Sequence, residues 1–244
     1  MAKQQEHLLE QLHYLRLKDI AEIYPQAVQK AQKNNWSYAQ FLAYLVDAQV
    51  SAKLERSIAL RIKQARFPVT KTIDTFDFDF PVRIAKPKVL QLFDLNFIEE
   101  KKNVIILGPT GCGKSHLATA LAYKACEQGV RTLFSTAIDI VNVLSASLSD
   151  QTFMKTLSRY TRPSLLTIDE LGYLPINKRG SDLLFQTIDR RYERGSIIIT
   201  SNRSFKEWGT VFNDATIANA VIDRLVHHSI VITIEGDSYR MKGK

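Results

Sequence analysis

Cysteine is nearly missing from this chain. Its 244 residues include two, Cys112 and Cys126, at no metal-ligand spacing, which points to a reduced, cytoplasmic setting rather than a disulfide framework. No apolar run approaches the length of a membrane span, and the N-terminus lacks a signal-peptide core, so no membrane association is expected. Neither an internal repeat nor a low-complexity tract is visible. Acidic side chains are in deficit: 25 Asp and Glu stand against 33 Lys and Arg, a net charge of +8. That balance favours a polyanionic partner. What remains is the composition of an ordinary globular protein, 45% hydrophobic and 24% charged, with enough apolar material for a full core.

The chain is organised around Gly108-Pro109-Thr110-Gly111-Cys112-Gly113-Lys114-Ser115. A β-branched run over 103–107 precedes this G-x-x-x-x-G-K-S turn, and a good helix former over 116–126 follows it. Strand, turn and helix in that order are the context a phosphate-binding P-loop requires. Glycines let the backbone aim its N–H groups at phosphates, and the helix N-terminus adds partial positive charge. Lys114 is expected to reach the β- and γ-phosphates of ATP, and the Ser115 hydroxyl to ligate Mg2+. Cys112, inside the loop, reads as a neutral filler.

Upstream, everything to about residue 66 reads as helix. Leu8, Leu12 and Leu15 recur at helical spacing, and Ile20, Ile23 and Ala27 continue an apolar face around Pro25. Asn34-Asn35 interrupts it. Ser37 to Gln40 fits a capping box, with Trp36 and Phe41 placed as a hydrophobic staple. The helix opened there extends to about Arg66, roughly 45 Å. Lys53, Arg56, Arg61, Lys63 and Arg66 crowd its last turns, either as a solvated basic face or as a phosphate-contacting stripe. Phe67-Pro68 ends it, and an aromatic–acidic linker follows. The expected division is a helical domain over 1–68, a linker over 69–82 and an ATPase domain over 83–244. Within the last, a helix over 84–95 precedes the loop. Strands over 131–135, 164–168, 196–201 and 229–234 then alternate with helices over 139–147, 152–160, 181–192 and 217–226. That alternation predicts an α/β fold, a five-stranded parallel sheet flanked by helices.

Ligands of such sheets gather at the carboxyl ends of the strands. Asp169 stands there, placed to hold Mg2+ through its water shell. Glu170 beside it can take a proton from an attacking water. Asn202, at the end of another strand, is placed to orient that water or touch the γ-phosphate.

Gly108 to Ser115, Leu165 to Glu170, Thr200-Ser201-Asn202 and Val221 to Leu225 together resemble Walker A, Walker B, sensor 1 and the arginine-bearing box of AAA+ ATPases. The resemblance narrows to the IstB/DnaC-like group at Ala65 to Pro68, Lys71 to Phe78, and Asp223-Arg224-Leu225 with His227-His228-Ser229. It implies that Arg224 acts in trans, reaching the γ-phosphate of a neighbouring protomer in a ring or spiral. The few residues after the last strand leave no room for the C-terminal lid of most AAA+ proteins; Arg240 is a candidate substitute for its arginine.

The helix pair over 139–160 resembles the insertion that lines the nucleic-acid path in initiator-type AAA+ proteins. Lys155, Arg159 and Arg162 on it, and Lys178 and Arg179 in the loop after Walker B, are therefore candidate DNA contacts, made to phosphates with little sequence preference. The resemblance implies a transposition helper that assembles with ATP on duplex DNA and presents it to a partner transposase. The alternatives are a DnaC-like helicase loader gripping single strands and, against the evidence of Glu170 and Arg224, a small-molecule kinase.

Overall fold

The computed structural model describes residues 2–80 and 82–239 in two compact units, 1–60 and 61–244. The first contains α1 (Ala2–Tyr14), α2 (Lys18–Lys33) and most of α3 (Tyr38–Ala65). The capping box forms: the Ser37 amide donates to Gln40 Oε1 at 2.8 Å, and the Gln40 amide to Ser37 Oγ at 3.3 Å. Trp36 packs on Tyr44 at 5.1 Å between centroids, while Phe41 packs on Tyr24 at 6.2 Å. The Lys30 ammonium lies over both the Trp36 and Tyr44 rings, a cation–π arrangement. Arg56, its side chain 60% accessible, is paired as well as solvated. It forks onto Asp19 of α2 with two bonds of 2.6 Å, and that guanidinium holds the Asp19 carboxyl below its ordinary value.

Helix α3 stops where Arg66 turns to φ +62°, ahead of Phe67-Pro68. A single 3-10 turn (Ile73–Thr75), β1 (Val82–Arg83), α4 (Lys86–Leu92) and α5 (Asn96–Glu99) follow. The helix expected over 84–95 is thus shorter, Lys86–Leu92, and α5 starts only beyond Leu95, which is left-handed at φ +62°. Then come β2 (Asn103–Leu107), α6 (Lys114–Glu127), β3 (Thr132–Thr136), α7 (Ala137–Ser149), α8 (Phe153–Thr161) and β4 (Leu165–Leu171). The chain continues through α9 (Lys178–Arg191), β5 (Ser196–Ser201), α10 (Trp208–Val211), α11 (Ala215–Val226), β6 (Ser229–Thr233) and β7 (Glu235–Gly236). Lys178 and Arg179 therefore open helix α9 instead of lying in a loop; Asn177 caps it, its Oδ1 accepting from the Gly180 amide at 2.8 Å.

The five expected strands form one parallel sheet in the order β3-β4-β5-β2-β6, and β1 pairs with β7 as a separate antiparallel ribbon. Alternation along the strands divides the core in two. Ile105, Ile168, Ile197 and Ile199 face α7, α9, α10 and α11 through Ile140, Leu184, Trp208 and Val221. Val104, Ile106, Ile198 and Ile232 face the other side, where α4 and α6 supply Val89, Leu117 and Leu121. The linker joins this second layer through Phe67, Ile73, Phe76 and Phe78. No helix among the described residues is long and apolar enough to cross a membrane.

Candidate active site

The loop between β2 and α6 turns at three glycines with positive φ, of which Gly111 (+84°) and Gly113 (+94°) are in the region that side chains avoid. Space forbids a side chain as well. A Cβ on Gly113 would come within 2.8 Å of the Phe76 ring, and one on Gly111 would strike Ser238. Lys114 is buried, and its Nζ donates to the Pro109 carbonyl at 2.6 Å. Cys112 fills the space beneath the loop in the core layer shared with Leu117.

Three strand ends converge on this loop. Ser115 Oγ donates to Asp169 Oδ1 at 2.9 Å across 54 residues. Thr200 Oγ1 donates to the same Asp169 oxygen and accepts the Glu170 amide at 3.0 Å. Strand β4 loses its register against β5 between Ile168 and Leu171, and Glu170 sits at φ +61°. That unfavourable backbone is tied down by Thr200 and leaves Glu170 exposed while Asp169 stays buried. A cavity of about 180 Å³ is lined by Lys114, Ser115, Glu170, Thr200 and Asn202. Asn202 Oδ1 is buried without a hydrogen-bond partner within the chain. A hydroxyl and a carboxylate at 2.9 Å are hard oxygen donors suited to Mg2+.

A larger cavity, about 540 Å³, adjoins the loop between Phe76 and Tyr239. His116 Nε2 donates to the Thr72 carbonyl at 3.0 Å, and the Tyr239 amide donates to the Gly111 carbonyl at 3.0 Å. The linker and the segment after β7 are thereby fastened on either side of the phosphate loop. Burial pushes the His116 imidazole below its ordinary value, more than its bond to Thr72 raises it. The volume and aromatic walls suit a nucleoside.

The structure thus gathers Lys114, Ser115, Asp169, Glu170 and Asn202. Sequence reasoning missed Thr200 as their brace, and Phe76, His116 and Tyr239 as a second half of the site. A buried threonine near a strand end, and the dense aromatics of the linker, were the only signals available. Arg224 is not among the residues lining either cavity. It is held on α11, its Nε donating to Asp189 at 2.6 Å and its guanidinium lying 4.8 Å above the Phe185 ring. Lys155, Arg159 and Arg162 are exposed on and beside α8, Lys178 and Arg179 on α9. Arg240 lies outside the described residues.

Residues 10–244 match the family of IstB-like ATP binding proteins. An ATP-binding protein of insertion sequence IS5376 from Geobacillus stearothermophilus is 41% identical over 98% of this chain and 95% of its own length. Its counterpart in insertion sequence IS21 from Pseudomonas aeruginosa is 38% identical over 96% and 88%. Among solved structures, the DnaC helicase loader superposes with a TM-score of 0.55 at 22% identity, covering 67% of this chain and 96% of that one; the likeness is one of fold.

Proposed function

Because the chain belongs to the IstB-like ATP-binding proteins, we propose that it is a Mg2+-dependent ATPase that assembles on duplex DNA and presents it to a partner transposase. The observation that carries the reading is the chain of contacts from Ser115 through Asp169 and Thr200 to Glu170. A nucleotide-binding loop alone needs no exposed carboxylate held in a left-handed turn beside its metal donors.

In this reading the purine and ribose occupy the cavity between Phe76 and Tyr239, and the triphosphate runs into the loop. Amides of the loop and the start of α6 hold the phosphate oxygens, and Lys114 leaves the Pro109 carbonyl for them. Ser115 and Asp169 would hold Mg2+, which when bound neutralises charge on the phosphates. Asn202 orients a water. Glu170 takes a proton from that water as its oxygen bonds to the γ-phosphorus, and the bond from that phosphorus to the β–γ bridging oxygen breaks, leaving ADP and phosphate. Arg224 of a neighbouring protomer stabilises the charge that builds up, so turnover requires assembly into a ring or spiral. The kinase reading needs no proton acceptor of this kind. Lys155, Arg159, Arg162, Lys178 and Arg179 take the DNA phosphates.

The test is binding of labelled duplex and single-stranded oligonucleotides with ADP, ATP or a non-hydrolysable analogue. Tight duplex binding with the triphosphate only, lost in Lys114→Ala, is expected. A clear preference for single strands would replace this reading with a helicase loader.

A further inference from the structure

Strand β3 is the outer edge of the sheet, and beside it six cations from separate segments line one cavity of about 390 Å³. Arg61 and Arg66 come from the end of α3, Arg131 from the start of β3, and Lys155, Arg159 and Arg162 from α8 and its exit. No carboxylate is among the lining residues. Some cations elsewhere pair with acids: Arg56 with Asp19, Arg203 with Glu207, Arg224 with Asp189. Among the described residues Arg66, Arg131, Lys155 and Arg162 have no such ion pair. Arg61 is oriented by its Nε–H bond to the Cys126 carbonyl at 2.9 Å, and Arg159 by stacking over the Tyr160 ring. Positive charges gathered without counter-charge repel one another, and that repulsion is relieved by a polyanion.

A second cavity, about 440 Å³, shares Arg66 and Arg159 with the first and is also lined by Asp139, Asp169 and Glu170. Glu170 in turn lines the small cavity with Lys114 and Asn202. Two arginines thus stand between the cation cluster and the carboxylate assigned to water activation. The cluster holds no aromatic side chain, and so lacks the stacking platform on which single-strand binders seat bases.

We propose that this cation-lined cavity grips the sugar–phosphate backbone of duplex DNA, and that Arg66 and Arg159, shared with the Glu170 cavity, couple DNA binding to the nucleotide. The inference rests on the function proposed above and deepens it, adding Arg61, Arg66 and Arg131 as contacts and naming the route of regulation. Phosphates draw Arg66 and Arg159 toward the edge of the sheet; without phosphates the acids that line their shared cavity, Asp139, Asp169 and Glu170, are open to them. Coupling of this kind is reciprocal: DNA must change ATP affinity by the factor by which ATP changes DNA affinity.

The experiment measures affinity of the full chain for a short duplex against salt, with a non-hydrolysable ATP analogue, and nucleotide affinity with and without saturating duplex. In Arg131→Gln/Arg162→Gln the slope of log affinity on log salt should fall by about 2, one for each lost phosphate contact. Arg131→Lys/Arg162→Lys should restore it, and unchanged melting temperatures will show that the variants fold. In Arg66→Gln/Arg159→Gln the duplex should no longer alter nucleotide affinity. A wild-type slope in the Arg131/Arg162 variant overturns the phosphate site and leaves the proposed function standing. Retained coupling in the Arg66/Arg159 variant overturns the regulatory route. Wild-type protein that binds no duplex at low salt with any nucleotide overturns both site and function, and tighter binding to single strands overturns the duplex assignment.

Discussion

Glu170 and His116 show how single residues here are tuned by what holds them. The Glu170 amide is bonded to Thr200, and the turn at φ +61° aims the side chain out of the sheet. Glu170→Gln keeps shape and hydrogen bonding but cannot accept the proton from water. Turnover should fall by at least about 100-fold while ATP affinity stays within a factor of a few; steady-state hydrolysis beside equilibrium binding of a labelled nucleotide reads both. A variant that hydrolyses normally would remove Glu170 from the reaction. His116 makes a prediction about pH. Its folded value lies below the ordinary 6.5, so in the window beneath 6.5 the unfolded chain takes up a proton that the folded chain refuses. Its share of stability is therefore intact above 6.5 and is lost as pH falls toward the folded value. His116→Gln can still donate to Thr72 yet does not titrate. The melting temperature of the wild type should drop more steeply than the variant's between pH 7 and pH 5.5, measured by calorimetry.

Among the elements, Arg191 has a role that its sequence conceals. Arg190 and Arg191 close α9, at a helix C-terminus where cations ordinarily sit in solvent. Instead Arg191 is 1% exposed, and its guanidinium donates to the carbonyls of Tyr160, Pro163, Ser164 and Ser196 at 2.8–3.2 Å. It fastens the exit of α8 to the starts of β4 and β5. Burial lowers its pKa to about 10, which leaves it charged at neutral pH. Arg191→Met keeps the apolar stem and strands several buried carbonyls, and the loss should be about 3 kcal/mol or more, seen as a lower urea midpoint. A change within 0.5 kcal/mol would mean that water replaces the guanidinium. The contrast with the phosphate loop explains what was legible. Strand runs, glycines, and the Ser37 capping box act within a few neighbours, so periodicity and spacing display them. Asp169 was visible because an apolar strand delivers it to the sheet edge. Thr200 and the Phe76–Tyr239 cavity depend on partners 30 or more residues distant, and three of the four Arg191 carbonyls lie 27–31 residues away; no local pattern records such pairings. The same limit hid the end of the helix expected over 84–95, which stops at Leu92, and the left-handed Leu95 ahead of α5 has no glycine to announce it.

At the scale of the whole molecule the question is what one chain can do alone. Its phosphate loop sets Lys114 and Ser115 beside Asp169 and Glu170 of β4, but Arg224 is spent on Asp189, at 2.6 Å, and on the Ala220 carbonyl, at 3.2 Å. The pairing is exposed enough to be exchanged, the Arg224 side chain being 30% accessible, and an exposed ion pair is worth little. A γ-phosphate on a second protomer carries more negative charge than Asp189 and offers a fork of oxygens that suits a guanidinium. Head-to-tail association would then give every interface one loop and one arginine, and such a contact repeats into a ring or an open spiral. The consequence can be measured by mixing two inactive variants. Lys114→Ala subunits lack a working loop, and Arg224→Ala subunits lack the arginine, so each alone should hydrolyse at least about 100-fold more slowly than wild type. Mixed in equal amounts, random order sets an intact loop against an intact arginine at about one interface in four. Hydrolysis per subunit should rise to a comparable fraction of the wild-type rate, and should fall again on dilution. If mixing restores nothing and Arg224→Ala alone turns over at the wild-type rate, Arg224 serves only to bind α11 to α9, and catalysis belongs to the single chain.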